Sequence, residues 1–192
     1  TLGVVADDGV GGVFVLAVVL RPGVERAFGH ALLQAAAAAQ SLEEQAQVLR
    51  DACFSRLPQA RSKQIDLGFE GEAACQVAGE PLLLAELCAN LLDNALKYTP
   101  RQGIVTARLT QDKAAGEGVL EIEDSGPGIA LQDKALALQP FHRLDNVGDQ
   151  PGAGLGLALV KDITAYHGTR PELLSSAALG GLLVRVRFRL LP

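Results

Sequence analysis

The sequence predicts an α/β fold, a two-layer sandwich of about three helices packed on a mixed β-sheet, with one long loop. Two observations carry this. Segments with apolar residues at helical spacing alternate along the chain with short segments of period two. The composition, 48% apolar and 20% charged, is that of a chain able to build a globular core.

Taken in order, residues 24–39 read as helix, strengthened by the alanine run from Ala35 to Ala39. Ser41 and Glu44 form a capping box that starts a second helix. It runs to about Ser62, with Leu42, Ala46, Leu49, Cys53 and Leu57 on one face and Pro58 expected to bend or end it. Ile65 to Phe69 and Ala74 to Val77 are short strand candidates around a Glu-Gly-Glu turn. Pro81 suits the first turn of a helix with Glu80 at its cap, which stops before Pro100. Ile104 to Leu109 and Val119 to Glu123 alternate as strands, and the polar stretch between them predicts a hairpin. Residues 125–153 are rich in glycine, proline and polar residues, with one short helix expected near Leu131 to Leu138. A last helix spans Leu155 to about His167 and is ended by Gly168. Val184 to Leu190 alternates apolar residues with Arg185, Arg187 and Arg189, a half-exposed strand with one basic face.

Composition also excludes. A net charge of −5 argues against a nucleic-acid partner held through phosphates. Cys53, Cys75 and Cys88 lack paired spacing and read as buried thiols of a reducing compartment. The chain begins with Thr1 and holds no methionine, so a fragment or a processed product is expected. The apolar run of residues 9–20 is short of the roughly 20 residues that span a bilayer. It reads as a buried strand or helix, or as the end of a truncated membrane segment.

Three short motifs in fixed order carry the chemistry. On the helix after Pro81, Glu86, Asn90, Asn94 and Lys97 form one polar stripe. A solvated face is the plain explanation, yet two asparagines are poor helix formers in mid-helix. An amide oxygen is a good ligand for magnesium, and a lysine one turn on can meet a phosphate. Next, a strand ends at Asp124, followed by Gly126, Pro127, Gly128 and Ile129, where an acid could accept a hydrogen bond from an adenine amino group. Third, Gly152, Gly154, Leu155, Gly156 and Leu157 precede a helix, where glycines let the backbone wrap phosphates at a helix N-terminus. Leu157 stands where the dinucleotide fingerprint has its third glycine, and no Walker lysine-serine follows. Together the motifs describe a pocket for ATP with magnesium.

Their order and spacing resemble the catalytic ATP-binding domain of bacterial sensor histidine kinases, in the superfamily shared with type II topoisomerases and mismatch-repair ATPases. Pro140 to Asp145 is similar to that family's phenylalanine box in the ATP lid, and Leu157 to Gly168 to its closing helix. The resemblance covers about residues 41–192 and leaves 1–40 as a remnant of a membrane-proximal or dimerisation region. It implies that Asn94 holds magnesium with Asn90 beside it, that Lys97 and Arg143 contact phosphates, and that Tyr98 lies near the sugar or the lid. Asp124 would read adenine, with Gly126, Gly128, Ile129, Phe141, Gly152, Gly154, Leu155, Gly156 and Leu157 shaping the site. The catalytic set would be Asn90, Lys97 and Arg143.

ATP-hydrolysing relatives carry a glutamate general base where this chain has Asn90. An amide takes no proton from water, so the site should hold ATP for transfer. The resemblance further implies transfer to a histidine, relay to a response regulator, and a parent protein that is a membrane-anchored homodimer of the bacterial inner membrane with this domain in the cytoplasm. Thr169-Arg170-Pro171 departs from the family pattern, so an irregular edge is expected there. The only candidate phosphoacceptor upstream is His30, which is followed by Ala31, Leu32, Leu33 and Gln34 instead of the family's acid, arginine and proline. The remaining rivals are an inactive nucleotide-binding interaction module and a serine kinase of the anti-sigma type.

Overall fold

A computed structural model of the protein describes residues 49–71, 77–142 and 153–190. They lie within one compact unit, Ser41–Pro192. Helix α1 covers residues 49–63. Strand β1 (Asp66–Gly71), helix α2 (Pro81–Tyr98) and strands β2 (Ile104–Asp112) and β3 (Glu117–Asp124) follow. A 3₁₀ turn (Leu131–Asp133) leads into the single-turn helix α3 (Lys134–Ala137), then α4 (Gly156–Tyr166), β4 (Pro171–Ser175) and β5 (Leu182–Arg189). The strands form one mixed sheet in the order β1-β2-β3-β5-β4. β1 and β2 are parallel and the other pairs antiparallel.

The core lies between the helices and one face of this sheet. α2 buries Leu84, Leu87, Cys88, Leu91, Leu92, Ala95 and Leu96, each leucine contributing about 1.5–3 kcal/mol of burial. From the sheet come Val105, Ala107, Leu120, Ile122, Val184, Val186 and Phe188, and α4 adds Val160 and Ile163. α1 contributes Leu49, Ala52, Cys53 and Ala60 at helical spacing. Burial pushes the Cys53 thiol up to about 11 and the Cys88 thiol up to about 12, so both stay protonated. Cys75 and the helix expected over 24–39 fall outside the described residues.

The ends of α2 are fixed by other elements, which matters because this helix carries the asparagines. Pro81 starts it, where a missing N–H costs nothing. His167, just past α4, accepts the Glu80 N–H through Nε2 at 3.0 Å. At the far end Lys63 donates from Nζ to the carbonyls of Leu96, Lys97 and Thr99 at 2.7, 2.9 and 3.0 Å. A cation on three terminal carbonyls also complements the helix dipole.

Two sequence expectations are corrected, an end to helix α1 at Pro58 and an irregular edge after Gly168. Helix α1 continues past Pro58 to residue 63, in agreement with its expected end near Ser62. The carbonyl that loses its donor belongs to Phe54, a residue 61% exposed, where water can replace it. The segment after Gly168 is a regular edge strand: Pro171 occupies the first position of β4, where no ladder donor is needed. Two arginines of the basic face of β5 are ion-paired. Arg185 pairs with Glu121 at 2.7 Å, and Arg187 with Glu117 and Glu172 at 3.2 and 3.4 Å.

Candidate functional site

A cleft opens between α2, the ends of β3 and β5, and the loop that follows β3. Its empty volume is about 710 Å³, counting the open mouth. Helix α2 supplies Leu91, Asn94, Ala95 and Tyr98, at positions i, i+3, i+4 and i+7 of one helical stripe. β3 supplies Ile122 and Asp124, and β5 Leu182 and Val184, each pair two residues apart and so on one face. Pro127, Gly128, Ile129, Ala137, His142 and Leu157 complete the lining. The walls are largely apolar with a few convergent polar groups, the usual make-up of a small-molecule site.

Asp124 is the charged group at its floor, only 5% exposed. Its Oδ1 accepts the Gly126 N–H at 2.8 Å and the Leu182 N–H at 3.2 Å. Among the described residues no donor reaches Oδ2, which is left for a ligand donor. Burial pushes the Asp124 carboxyl above its ordinary value; the two N–H groups pull against that, and the Glu123 charge adds to the rise. Gly126 lets the chain turn here, because a Cβ would sit 2.9 Å from Asp124 Oδ1 and 3.0 Å from the Tyr98 carbonyl oxygen. Gly128 holds φ +68°, a left-handed conformation that favours glycine.

Asn94 is the second polar group. Its Nδ2 is buried without a hydrogen-bond partner, which normally costs about 1–3 kcal/mol and marks a place for a ligand or water. Space beside it is kept open by Gly156 at the start of α4. A Cβ at Gly156 would come 2.7 Å from Asn94 Nδ2 and 3.0 Å from Oδ1. An unpartnered amide donor in the cleft lining, beside a helix N-terminus stripped of a side chain, suits an anionic acceptor such as a phosphate oxygen.

The structure thus brings Asn94, Tyr98, Asp124, Gly128, Ile129 and Leu157 to one cleft, with Gly126 packed against Asp124 and Tyr98 and Gly156 against Asn94. Asn90 lies one turn before Asn94 and donates its Nδ2 to the Glu86 carbonyl at 2.8 Å. Lys97 lies over the Tyr98 ring at 4.7 Å, outside the lining. The Gly154 (φ +70°) carbonyl accepts the Phe141 N–H at 3.0 Å, which ties Phe141 to the turn before α4. The Phe141 side chain is 75% exposed and Leu155 43%, so neither lines the cleft. Arg143, Gly152 and His30 lie outside the described residues.

Sequence reasoning missed Leu182, Val184 and Gly181. Ile122 could have been found by counting two back from Asp124. The β5 residues could not, because their place beside β3 depends on the sheet order. His142, given no role in the sequence reading, lies in the lining.

This fold and cleft define a class. The model of the histidine kinase-, DNA gyrase B-, and HSP90-like ATPase family matches residues 79–192. The chain belongs to that family, and its catalytic ATP-binding domain is of the sensor histidine kinase type. It is 36% identical over 121 residues to the signal transduction histidine-protein kinase/phosphatase MprB of Mycobacterium bovis BCG, covering 62% of this chain and 24% of that protein. With MprB of Mycobacterium sp. strain KMS the identity is 40% over 114 residues, 58% of this chain and 22% of the relative. The chain spans about a quarter of the length of these curated relatives. A solved structure of mycobacterial sensor histidine kinase MprB superposes with a TM-score of 0.67 at 31% identity, over 76% of this chain and 97% of that one. The catalytic domain of histidine kinase ThkA, at 19% identity, TM-score 0.64 and 74% and 91% coverage, shares the fold.

Proposed function

We propose that the cleft holds ATP with magnesium and that the chain is the catalytic part of a two-component sensor kinase, passing the γ-phosphoryl group to a histidine for relay to a response regulator. The observation that supports this best is Asp124. It is a buried carboxylate with one oxygen held by two backbone N–H groups and the other without a donor among the described residues, in a largely apolar cleft. That arrangement suits a planar base with an exocyclic amino group, and the apolar walls suit its faces. Asn94 would hold the magnesium, with Asn90 beside it. Bound magnesium would neutralise charge on the phosphates and orient them. Lys97 would swing from the Tyr98 ring to a phosphate, and Arg143 would supply a second cation. Tyr98 would sit at the edge of the sugar. Asn90 is an amide whose donor is engaged by the Glu86 carbonyl, so it offers no base to activate water.

We assign residues 41–192 to the catalytic domain and 1–40 to a membrane-proximal or dimerisation region. The partners would be the dimerising phosphoacceptor helices of the parent kinase and its response regulator. Among the described residues no helix is long and apolar enough to cross a membrane. We assign the domain to the cytoplasm and the parent protein to the bacterial inner membrane. Titration calorimetry tests the core of this reading. One site for ATP is expected, and Asn94→Ala should weaken it far more with magnesium than without. Equal weakening in both conditions would remove Asn94 from the metal.

A further inference from the structure

The turn between β4 and β5 presses on Asp124. A Cβ at Gly181 would lie 2.2 Å from the Asp124 carbonyl oxygen, 2.5 Å from its Oδ1 and 2.6 Å from the Gly126 nitrogen. The next residue, Leu182, gives Asp124 its second N–H. The direction of the free carboxyl oxygen therefore depends on where this turn sets residues 181 and 182.

Ser176 builds that turn. Its N–H donates to the Gly181 carbonyl at 2.9 Å, and its carbonyl accepts the Gly180 N–H at 3.1 Å. Its Oγ accepts the Leu179 N–H at 2.7 Å and donates to Glu123 Oε1 at 2.6 Å. The other Glu123 oxygen is held by Arg108, whose Nε is bonded to Glu70 Oε2 at 2.7 Å. Glu123 and Ser176 are 4% and 6% exposed. Glu123 follows Ile122 and precedes Asp124 on β3, so its side chain takes the face opposite the cleft. Burial alone would raise the Glu123 carboxyl, yet the Ser176 hydroxyl and Arg108 hold it below its ordinary value. It stays an ionised acceptor for the serine.

We propose that Ser176, anchored through Glu123 to Arg108, is a positioning residue that aims Asp124 and so sets the preference of the cleft for purines with a 6-amino group. This rests on the reading of the cleft as an ATP site. A serine that merely braced a turn would change stability and leave purine preference alone. A serine that aims Asp124 changes the preference in a folded protein.

The test uses the full chain with Ser176→Ala, and with Glu123→Gln as a milder variant that keeps shape but removes the charge that anchors Ser176 to Arg108. Without nucleotide, hydrogen exchange at the Leu182 amide should quicken about tenfold in Ser176→Ala, while the Ile122 and Val186 amides keep their rates. The Kd for 6-chloropurine riboside triphosphate divided by the Kd for ATP should shrink about tenfold, and less in Glu123→Gln. In an Asp124→Asn background, Ser176→Ala should leave that ratio unchanged, because the group it aims is gone. Folded Ser176→Ala with an unaltered ratio overturns the positioning role alone; if that variant does not fold, an unaltered ratio in Glu123→Gln does the same. A wild-type chain that binds neither nucleotide overturns the ATP reading and the purine preference with it.

Discussion

Asp124→Asn separates function from stability at a single position. Its oxygen can keep both backbone donors, Gly126 at 2.8 Å and Leu182 at 3.2 Å. The other carboxyl oxygen becomes an NH₂ and meets the adenine amino group donor to donor. The loss is one hydrogen bond to a charged group, worth about 1.5–3 kcal/mol. The ATP Kd should therefore rise by about 10- to 150-fold. Stability should move the other way. Burial, the leading cause, raises the Asp124 carboxyl in the folded state, so the native protein holds this proton more tightly than the unfolded chain. The cost of ionising it is absent below the unfolded value near 3.8. Stability is lost as pH rises through the raised folded value. Asparagine carries no such cost, so the variant should be at least as stable as wild type at pH 8, and its relative stability should fall on going to pH 4. Calorimetry with ATP and urea unfolding at the two pH values measure both effects. An ATP affinity within threefold of wild type, or a variant less stable than wild type at pH 8, would refute the reasoning.

Gly156→Ala should fold normally, since alanine favours helix. Its Cβ, 2.7 Å from Asn94 Nδ2, should weaken ATP by about tenfold, and an unchanged Kd in calorimetry would remove Gly156 from the site. Leu92→Ala empties a position with 0% exposure and should cost about 2–5 kcal/mol in urea unfolding; a cost under 1 kcal/mol would contradict the packing described. Incubating this chain with labelled ATP should give little acid-labile label, because His30 lacks the residues that follow a phosphoacceptor in the resembling family. Strong label that vanishes in His30→Gln would reverse that reading.

Local signals were the ones legible in the sequence. Pro81 and Pro100 bracket α2, and the turn residues between Leu109 and Val119 announced the β2–β3 hairpin, because each depends on neighbours within a few residues. Asp124 and Asn94 were legible because a strand-ending acid and mid-helix asparagines break local propensity. What could not be read is what sheet order creates. β4 is only five residues long and takes its partner, β5, across a turn whose latch, Glu123, lies 53 positions upstream of Ser176. Lys63 caps α2 from 33 to 36 residues away. Gly181 owes its role to contact with Asp124, which no spacing rule announces. Phe141 was placed by resemblance alone, and its side chain is exposed to solvent.

The central claim is that one nucleotide sits between α2 and the ends of β3 and β5. Amide shift mapping by NMR on the full chain, titrated with ATP and magnesium, tests it most directly. Saturable shifts at Asn94, Tyr98, Asp124, Gly128, Leu157 and Leu182, with little change at Arg108, Arg187 or Glu172 on the far face of the sheet, are the predicted result. No saturable shifts at millimolar nucleotide, or shifts centred on that far face, would contradict the account.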